Sequence, residues 1–371
     1  MAAVSDSAMT SVAYVAVSCI LTLHHSNVLC GGFMPRTLVE FGGRKPRLAL
    51  GPAMAGWGSW EWIGEGLAES LAPWFETQCF EHPAAVRNAD VWLIVKHPIP
   101  DLFRMVGRSP VIYCPVDSYG SAGEIDADAG FLRRCARIVV HCEKLRRYFS
   151  PYAPVEMLDH PLKFVAEPRE RFTDDGPILY VGVRTNLPPL AEWLKQHPLP
   201  SDLVVLTNPE DLQRSLRAVD YGLPADGRVR IETWSPARHV DWAGRARAAL
   251  DIRAQDFRAR HKPPAKALDY LASGLPLAMY PDSSPAEHLA RMGFTLASPE
   301  EPDHWLSREY WDETRRFGQA LRELLAPARV TQRARLIIDD VLSESRRSRG
   351  RVGVPSPAVA GVREGSESNN G

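Results

Sequence analysis

The sequence predicts an α/β protein built from two doubly wound parallel sheets in tandem, and three observations carry that prediction. The 371 residues suffice for two domains of ordinary size, and 45% hydrophobic with 24% charged residues is a globular profile. Short continuous apolar runs, the mark of strands buried on both faces, alternate with longer amphipathic stretches. The alternation stops at a charged, proline-containing stretch, FVAEPRERFTDDGP (164–177), and then starts again. Strand–helix alternation implies right-handed crossovers and helices on both faces of each sheet.

In the first series, RLALGP (47–52) reads as a strand, followed by the loop AMAGWGSWEW and a helix to about Leu71. Further strands are expected at 75–81, 90–98, 110–117, 136–142 and 154–161, with EKLRRYF opening a helix after the fifth. In the second series ILYVGV (178–183) is the first strand. Helices are expected at 188–197, 209–219 and 236–248, and strands at 202–207, 228–233, 249–253 and 275–280. Two helical segments, about 303–325 and 329–346, close the chain. The expected units are thus 34–165, 166–302 and the closing helices 303–346, packed back on the first unit. Residues 1–33 read as an extension and 347–371, rich in Gly, Ser, Pro and charge, as a disordered tail.

A formal net charge of −1 gives no reason to expect nucleic acid or an anionic membrane as the main partner. SVAYVAVSCILTL (11–23) is apolar but too short to span a bilayer, and it follows no basic segment, so neither a transmembrane helix nor a signal peptide fits. The six cysteines (Cys19, Cys30, Cys79, Cys114, Cys135, Cys142) show no CxxC and no zinc spacing. They read as reduced, buried thiols of a cytoplasmic protein.

The stretch HKPPAKALDYLASGLPLAMYPDSSPAEHL (261–289) holds the densest chemistry. Pro263 and Pro264 suit a helix's first turn, Leu268, Leu271, Ala272 and Leu275 make its apolar stripe, and Gly274 suits a left-handed C′ position. The helix start therefore lies at the carboxyl edge of the second sheet, where open α/β sheets bind ligands. Free N–H groups, the helix dipole, Lys262 and Lys266 make that end a seat for phosphate. Asp269, one turn on, has the reach to accept two ribose hydroxyl bonds. The other reading of Lys266 and Asp269 is an i,i+3 surface ion pair.

PPAKALDYLASGLPL resembles the P-S-K-x-x-E-Y-x-A-x-G-x-P signature of family 4-like glycosyltransferases of the GT-B fold, and the element order across 44–345 fits that fold as well. The resemblance implies two Rossmann-like domains facing across a cleft, with late helices returning to the first. It implies that Asp269 holds the donor ribose, and that Lys266 and the helix start hold the diphosphate. Asp in place of the usual Glu shortens the reach by one methylene. His261 stands where the family often has its first Glu, eight residues before the acid.

By the same resemblance Arg184, after the first strand of the second half, is a diphosphate contact. Trp234 lies in the base-facing loop, and Glu287 follows a strand where donor-sugar contacts are common. A solvated arginine, a core tryptophan and a helix-start glutamate are the plain alternatives. Arg258 and Arg260 with Lys262 form a compact basic loop, suited either to two phosphates or to solvent. In the first half, Gly56 and Gly58 let a backbone approach a bound group. The loop they flank, which in GT-B enzymes borders the cleft, carries Trp57, with Trp60 and Trp62 beyond, either as an acceptor platform or as core. Related retaining enzymes often carry a His–Asp pair after the fourth strand. Here Val116 takes the His place and Asp117 remains, with His97 one strand away; Asp117 orients the acceptor, acts as base or forms a turn. His141 and His160 rank lower.

The implied activity is transfer of a glycosyl group from a nucleotide-diphospho-sugar to an acceptor hydroxyl, with retention. No metal or cofactor is expected, since cations and a helix start stabilise the leaving diphosphate and no DxD motif stands in a suitable loop. The acceptor is a carbohydrate, a lipid-linked or a small molecule, with peripheral membrane contact compatible. A sugar-nucleotide epimerase and an inactive nucleotide-sugar-binding protein are the rival readings, the latter favoured by His261 and Val116.

Overall fold

The protein is described by a computed structural model covering residues 43–351, apart from 55, 57 and 209–215. The expected extension 1–33, Cys19, Cys30, Trp57 and most of the 209–219 helix lie outside the described residues. In the first domain β1 (Arg47–Gly51) leads into helix α1, whose segments Gly58–Trp60 and Gly66–Leu71 flank a π turn, Glu61–Glu65. β2 (Glu76–Cys79) and β3 (Val91–Val95) follow, then α2 (Leu102–Met105), β4 (Val111–Cys114), α3 (Ala122–Ala127) and α4 (Ala129–Leu132). β5 (Arg137–Val140), α5 (Glu143–Phe149) and β6 (Val155–Met157) complete it. All pairings are parallel, in the order β2-β1-β3-β4-β5-β6.

Both faces of this sheet are covered, as the continuous apolar runs require. Leu48, Leu50, Leu93 and Val95 pack on one face with α1, and Ala49, Trp92, Ile94 and Tyr113 on the other with Phe149 of α5. The strands end earlier than expected, because β3 and β4 give way to Lys96 (φ 70°) and Val116 (φ 53°) rather than running on to 98 and 117. Cys114, Cys135 and Cys142 are buried as expected, but Cys79, on the edge strand β2, is exposed.

After an irregular link the second domain opens with β7 (Ile178–Val181), a 3₁₀ turn Arg184–Asn186, α6 (Leu187–Gln196) and β8 (Leu203–Thr207). β9 (Val229–Thr233), α7 (Pro236–Arg245), β10 (Ala248–Asp251), α8 (Phe257–Arg260) and α9 (Ala265–Ala272) follow. Then come β11 (Leu277–Met279), α10 (Ser284–Arg291), α11 (Pro302–Trp305), α12 (Arg308–Leu324) and α13 (Pro327–Arg351). The described end of the expected 209–219 segment is a 3₁₀ turn, Ala218–Tyr221. The strand order is β11-β10-β7-β8-β9, again all parallel. The order reverses between β7 and β10, and the carboxyl ends of those two strands therefore flank the crevice where a ligand fits.

The expected helix at 303–325 is broken at Ser307, whose hydroxyl caps α12 by accepting from Tyr310 N–H. The two long closing helices part company. α12 stays on the second domain, where Tyr310, Phe317 and Leu321 join its core. Its Gly318 touches α9 so closely that a Cβ there would lie 1.9 Å from the Leu271 carbonyl oxygen. Only α13 crosses back: Val330, Ala334, Ile337, Ile338 and Val341, spaced as one helical stripe, enter the first domain's core. α13 runs to Arg351, five residues into the stretch expected to be a disordered tail; residues 352–371 lie outside the described part. No described helix is long and apolar enough to cross a membrane.

Candidate functional site

α9 begins beside the β7–β10 switch point, and its local sequence explains why it is short and well ended. Pro264 is the N-cap residue. Gly274 (φ 66°) closes the helix, with Gly274 N–H bonded to Leu271 O and Leu275 N–H to Tyr270 O, the Schellman pattern. Lys266, in the first turn, reaches back to the switch point. Its Nζ donates to Val181 O at 2.5 Å, lies 3.5 Å from Asp251 Oδ2 and stands 5.9 Å from the Tyr180 ring centre.

Asp251 ends β10 with its side chain 2% exposed. Arg253 clasps it, Nε at 3.1 Å from both oxygens and Nη2 at 2.6 Å from Oδ2. Burial alone would push this carboxyl up, but Arg253 and then Lys266 outweigh it and hold it at about 2. Burial lowers the Lys266 ammonium to about 8, with Asp251 resisting. Tyr180 OH donates to Asn186 O and Ile252 O, tying the loops after β7 and β10 together. Lys262 Nζ lies 3.5 Å from Asn186 Oδ1. Arg184 sits in the 3₁₀ turn beside this group, half-buried. Sequence reading missed Asp251, Arg253 and Tyr180, whose only signal is an acid and a base two residues apart at a strand end.

Lys266 and Asp269 do not pair. Asp269 is 1% exposed, and its Oδ1 accepts the backbone N–H of Lys163 in the interdomain link at 2.9 Å. Burial raises its carboxyl to about 7, against the backbone N–H groups of Lys163 and Phe164 and the Lys163 charge. The surface-pair alternative is excluded by this burial. The link itself is stitched down nearby: Ala166 N–H donates to Ser273 Oγ at 3.0 Å, and Arg322 of α12 donates to Ala166 O and Ala272 O.

The basic loop does not converge as expected. Arg258 crosses to the first domain and donates to Ser118 O at 2.9 Å, and Arg260 pairs with Asp282 at 2.9 Å. Only Lys262 stays at the switch point. His261 is 7% exposed, stacked on Phe257 (4.0 Å), with its Nδ1 2.6 Å from Phe257 O. That geometry requires the proton on Nδ1. Its own carbonyl lies 2.9 Å from His141 Nε2 of the first domain. Glu287 is likewise engaged by cations. Lys144 and Arg147 of α5 lie 3.8 Å from it and Arg291 3.0 Å, so it joins the domains. His288–Asp159 at 3.0 Å and Arg291–Glu143 at 3.3 Å reinforce the same seam.

Trp234, half-buried after β9, places its ring 5.6 Å from Phe164 of the link, whose other side faces Trp62 at 6.3 Å. Its Nε1 lies 3.4 Å from His239 Nδ1. Of the tryptophans near α1, Trp60 is core, 2% exposed, and Trp62 packs on His160. Gly56 (φ 76°) and Gly58 are exposed, with open space where a Cβ would stand. His141 and His160 are buried neighbours, 5.8 Å apart at the carboxyl edge of the first sheet.

On that edge Asp117 Oδ1 lies 3.1 Å from Lys96 Nζ, the two side chains 18% and 12% exposed. Burial works to raise the carboxyl, yet Lys96, Lys262 from the other domain and His141 hold it below the usual carboxylate range. His97, exposed beside it, is lowered by partial burial and then by Lys96 and Arg258. Val116 at φ 53° is a β-branched residue in a left-handed conformation, a costly geometry found where surroundings over-determine the backbone. It turns the chain between the end of β4 at Cys114 and Asp117. Asp117 and Lys262 thus act on each other across the two domains.

No protein-family model and no curated protein sequence matches the chain. Solved structures do. The chain is similar to AviGT4, a glycosyltransferase involved in avilamycin A biosynthesis, at 12% identity and a TM-score of 0.51, covering 81% of this chain and 98% of that one. It is similar to a glycosyltransferase from Rickettsia africae ESF-5 at 9% identity and a TM-score of 0.54, covering 81% and 99%. At these identities the likeness shows the fold: the chain has the GT-B architecture of two parallel sheets with flanking helices.

Proposed function

We propose that this protein is a glycosyltransferase that moves a sugar from a nucleotide-diphospho-sugar to an acceptor hydroxyl with retention of configuration. The observation that carries the reading is the placement of Lys266, Arg253 and Lys262 at the β7–β10 switch point, with Lys262 within electrostatic reach of Asp117 of the opposite domain. The bond between the anomeric carbon and the diphosphate oxygen breaks, leaving charge on the β-phosphate. Lys266, Lys262, Arg184 and the first turn of α9 stabilise that charge where it develops. The acceptor oxygen bonds to the anomeric carbon, and its proton passes to the departing phosphate oxygen. Asp117, kept ionised by Lys96, orients the acceptor hydroxyl by accepting its hydrogen bond. His97 flanks that position, Trp234 offers a face to the base, and the Gly56–Gly58 loop borders the acceptor. A ribose contact from Asp269 requires the link at Lys163 to move off its carboxyl, which is 1% exposed. Because the cations supply the charge stabilisation, the scheme needs no metal.

One observation favours a second reading. Asp269 is already engaged by the link and His261 by its own helix, which suits a protein that binds nucleotide without turnover. A donor-hydrolysis assay over the common nucleotide-sugars separates the two. The enzyme slowly releases sugar from one of them and loses that release in Lys266→Ala. Nucleotide binding with no release from any donor supports the second reading, and release unchanged in Lys266→Ala removes the site assignment.

A further inference from the structure

Asp251 has no place in that scheme, since its carboxylate would repel a diphosphate, yet it lies beneath the proposed seat. One of its oxygens, Oδ2, serves both cations, Arg253 at 2.6 Å and Lys266 at 3.5 Å. We infer that Asp251 is a positioning residue that gathers Lys266 and Arg253 at the β7–β10 switch point into a preformed diphosphate seat, an inference that rests on the donor reading above. Two cations held this close in a poorly hydrated place repel, and a shared carboxylate is what lets both stay charged. The arrangement also leaves donors to spare. An ammonium has three, and Val181 O with Asp251 occupies two of those on Lys266. Arg253 Nη1 is buried with no partner among the described residues. The Lys266 side chain keeps 26% of its exposure, so a ligand can reach it, whereas Asp251 at 2% is out of reach.

The groups facing Lys266 are Asp251 of β10, Arg253 just after it, Tyr180 of β7, Lys262 of the loop before α9 and His239 of α7. Among them Asp251 supplies the negative charge at contact distance, and burial drives Lys266 the other way. Removing Asp251 therefore neutralises Lys266 at lower pH, and removing Arg253 does the reverse.

The test is calorimetric titration of the full-length protein with UDP, GDP, ADP and inorganic pyrophosphate across about pH 6 to 9, for wild type, Asp251→Asn, Asp251→Glu and Arg253→Met. Wild-type affinity is expected to fall about tenfold per pH unit above a break near the Lys266 value of about 8. In Asp251→Asn the break moves about one unit to acid, weakening binding about twofold at pH 7 and nearly tenfold at about pH 9. Asp251→Glu restores most of it. Arg253→Met moves the break to alkali, which keeps the inference testable if Asp251→Asn does not fold. A break that stays in place in both Asp251→Asn and Arg253→Met, whatever the overall affinity, leaves Asp251 a purely structural residue and overturns the inference alone. A wild type that binds no diphosphate at any pH overturns the donor reading, and the inference with it.

Discussion

The two carboxyl edges that face each other solve the same problem by different means. Each sets an aspartate against a lysine at a strand end. On the first sheet the pair Asp117–Lys96 is presented by bent backbone, with Lys96 and Val116 at positive φ. On the second sheet Asp251 and Lys266 sit on regular strand and helix, Arg253 lies just beyond the strand, and burial does the work. The difference teaches which part of each edge is costly. The first holds strain in two residues, and the second holds charge away from water. The Asp117 side chain keeps 18% of its exposure against 2% for Asp251, so the first edge leaves its carboxylate within reach and the second its cations.

Substitutions at the two edges should therefore fail differently. Lys266→Ala is expected to cost the most, about 10²- to 10³-fold in sugar release, by analogy with loss of one charge-stabilising donor. Asp117→Asn should cost about 10- to 100-fold in transfer, through lost orientation, while release of sugar to water falls less. Comparing transfer with hydrolysis in the two variants checks this. Equal losses in both reactions for Asp117→Asn would break the distinction between a donor edge and an acceptor edge.

Acid sharpens the comparison. Burial lowers His141 to about 4, His160 to about 3 and His239 to about 3, the first two on the first edge and the third behind the second. Unfolding returns each to about 6.5, so the unfolded chain binds more protons below that pH and stability is lost as pH falls from about 6.5 toward 4. Asp269, raised to about 7, acts in the opposite sense, gaining stability as pH falls through the same window. Three histidines outweigh one carboxyl, so the melting temperature should drop between about pH 6.5 and 4. A melting temperature that is flat or rises on acidification contradicts this burial pattern.

The smallest expected effect concerns strain. Val116 is 3% exposed, and truncating a buried valine normally costs a few kcal/mol. At φ 53° glycine recovers about 1–2 kcal/mol of backbone strain. Val116→Gly should thus lower the melting temperature clearly less than Val140→Gly, a valine equally buried but in regular strand β5. Equal losses would mean that the first edge stores no strain.

Much of the architecture was legible, because strands buried on both faces leave apolar runs and Pro264 and Gly274 mark the ends of α9 in plain sequence. The position of Lys266 at the carboxyl edge of the second sheet was legible for the same reason. What could not be read was set by contacts between distant residues. Nothing near Asp269 announces that Lys163 folds back to donate to it, nor near Glu287 that α5 brings Lys144 and Arg147 alongside. Arg258 and Arg260, two residues apart in a basic run, diverge because alternate residues of a short helix turn to different neighbours. Asp251 was hidden within an apolar strand, where a lone acid gives no hint of the two cations that make it tolerable. The strand ends at Lys96 and Val116 were misjudged because nothing in their residue types favours positive φ.

The most direct test of the central claim is a structure of the protein with a bound nucleoside diphosphate. The two phosphates are expected at the first turn of α9, within hydrogen-bond distance of Lys266 Nζ, which keeps its bonds to Val181 O and Asp251 and gives its third donor to the ligand. A nucleotide bound elsewhere, with no phosphate within reach of Lys266 Nζ, would contradict it.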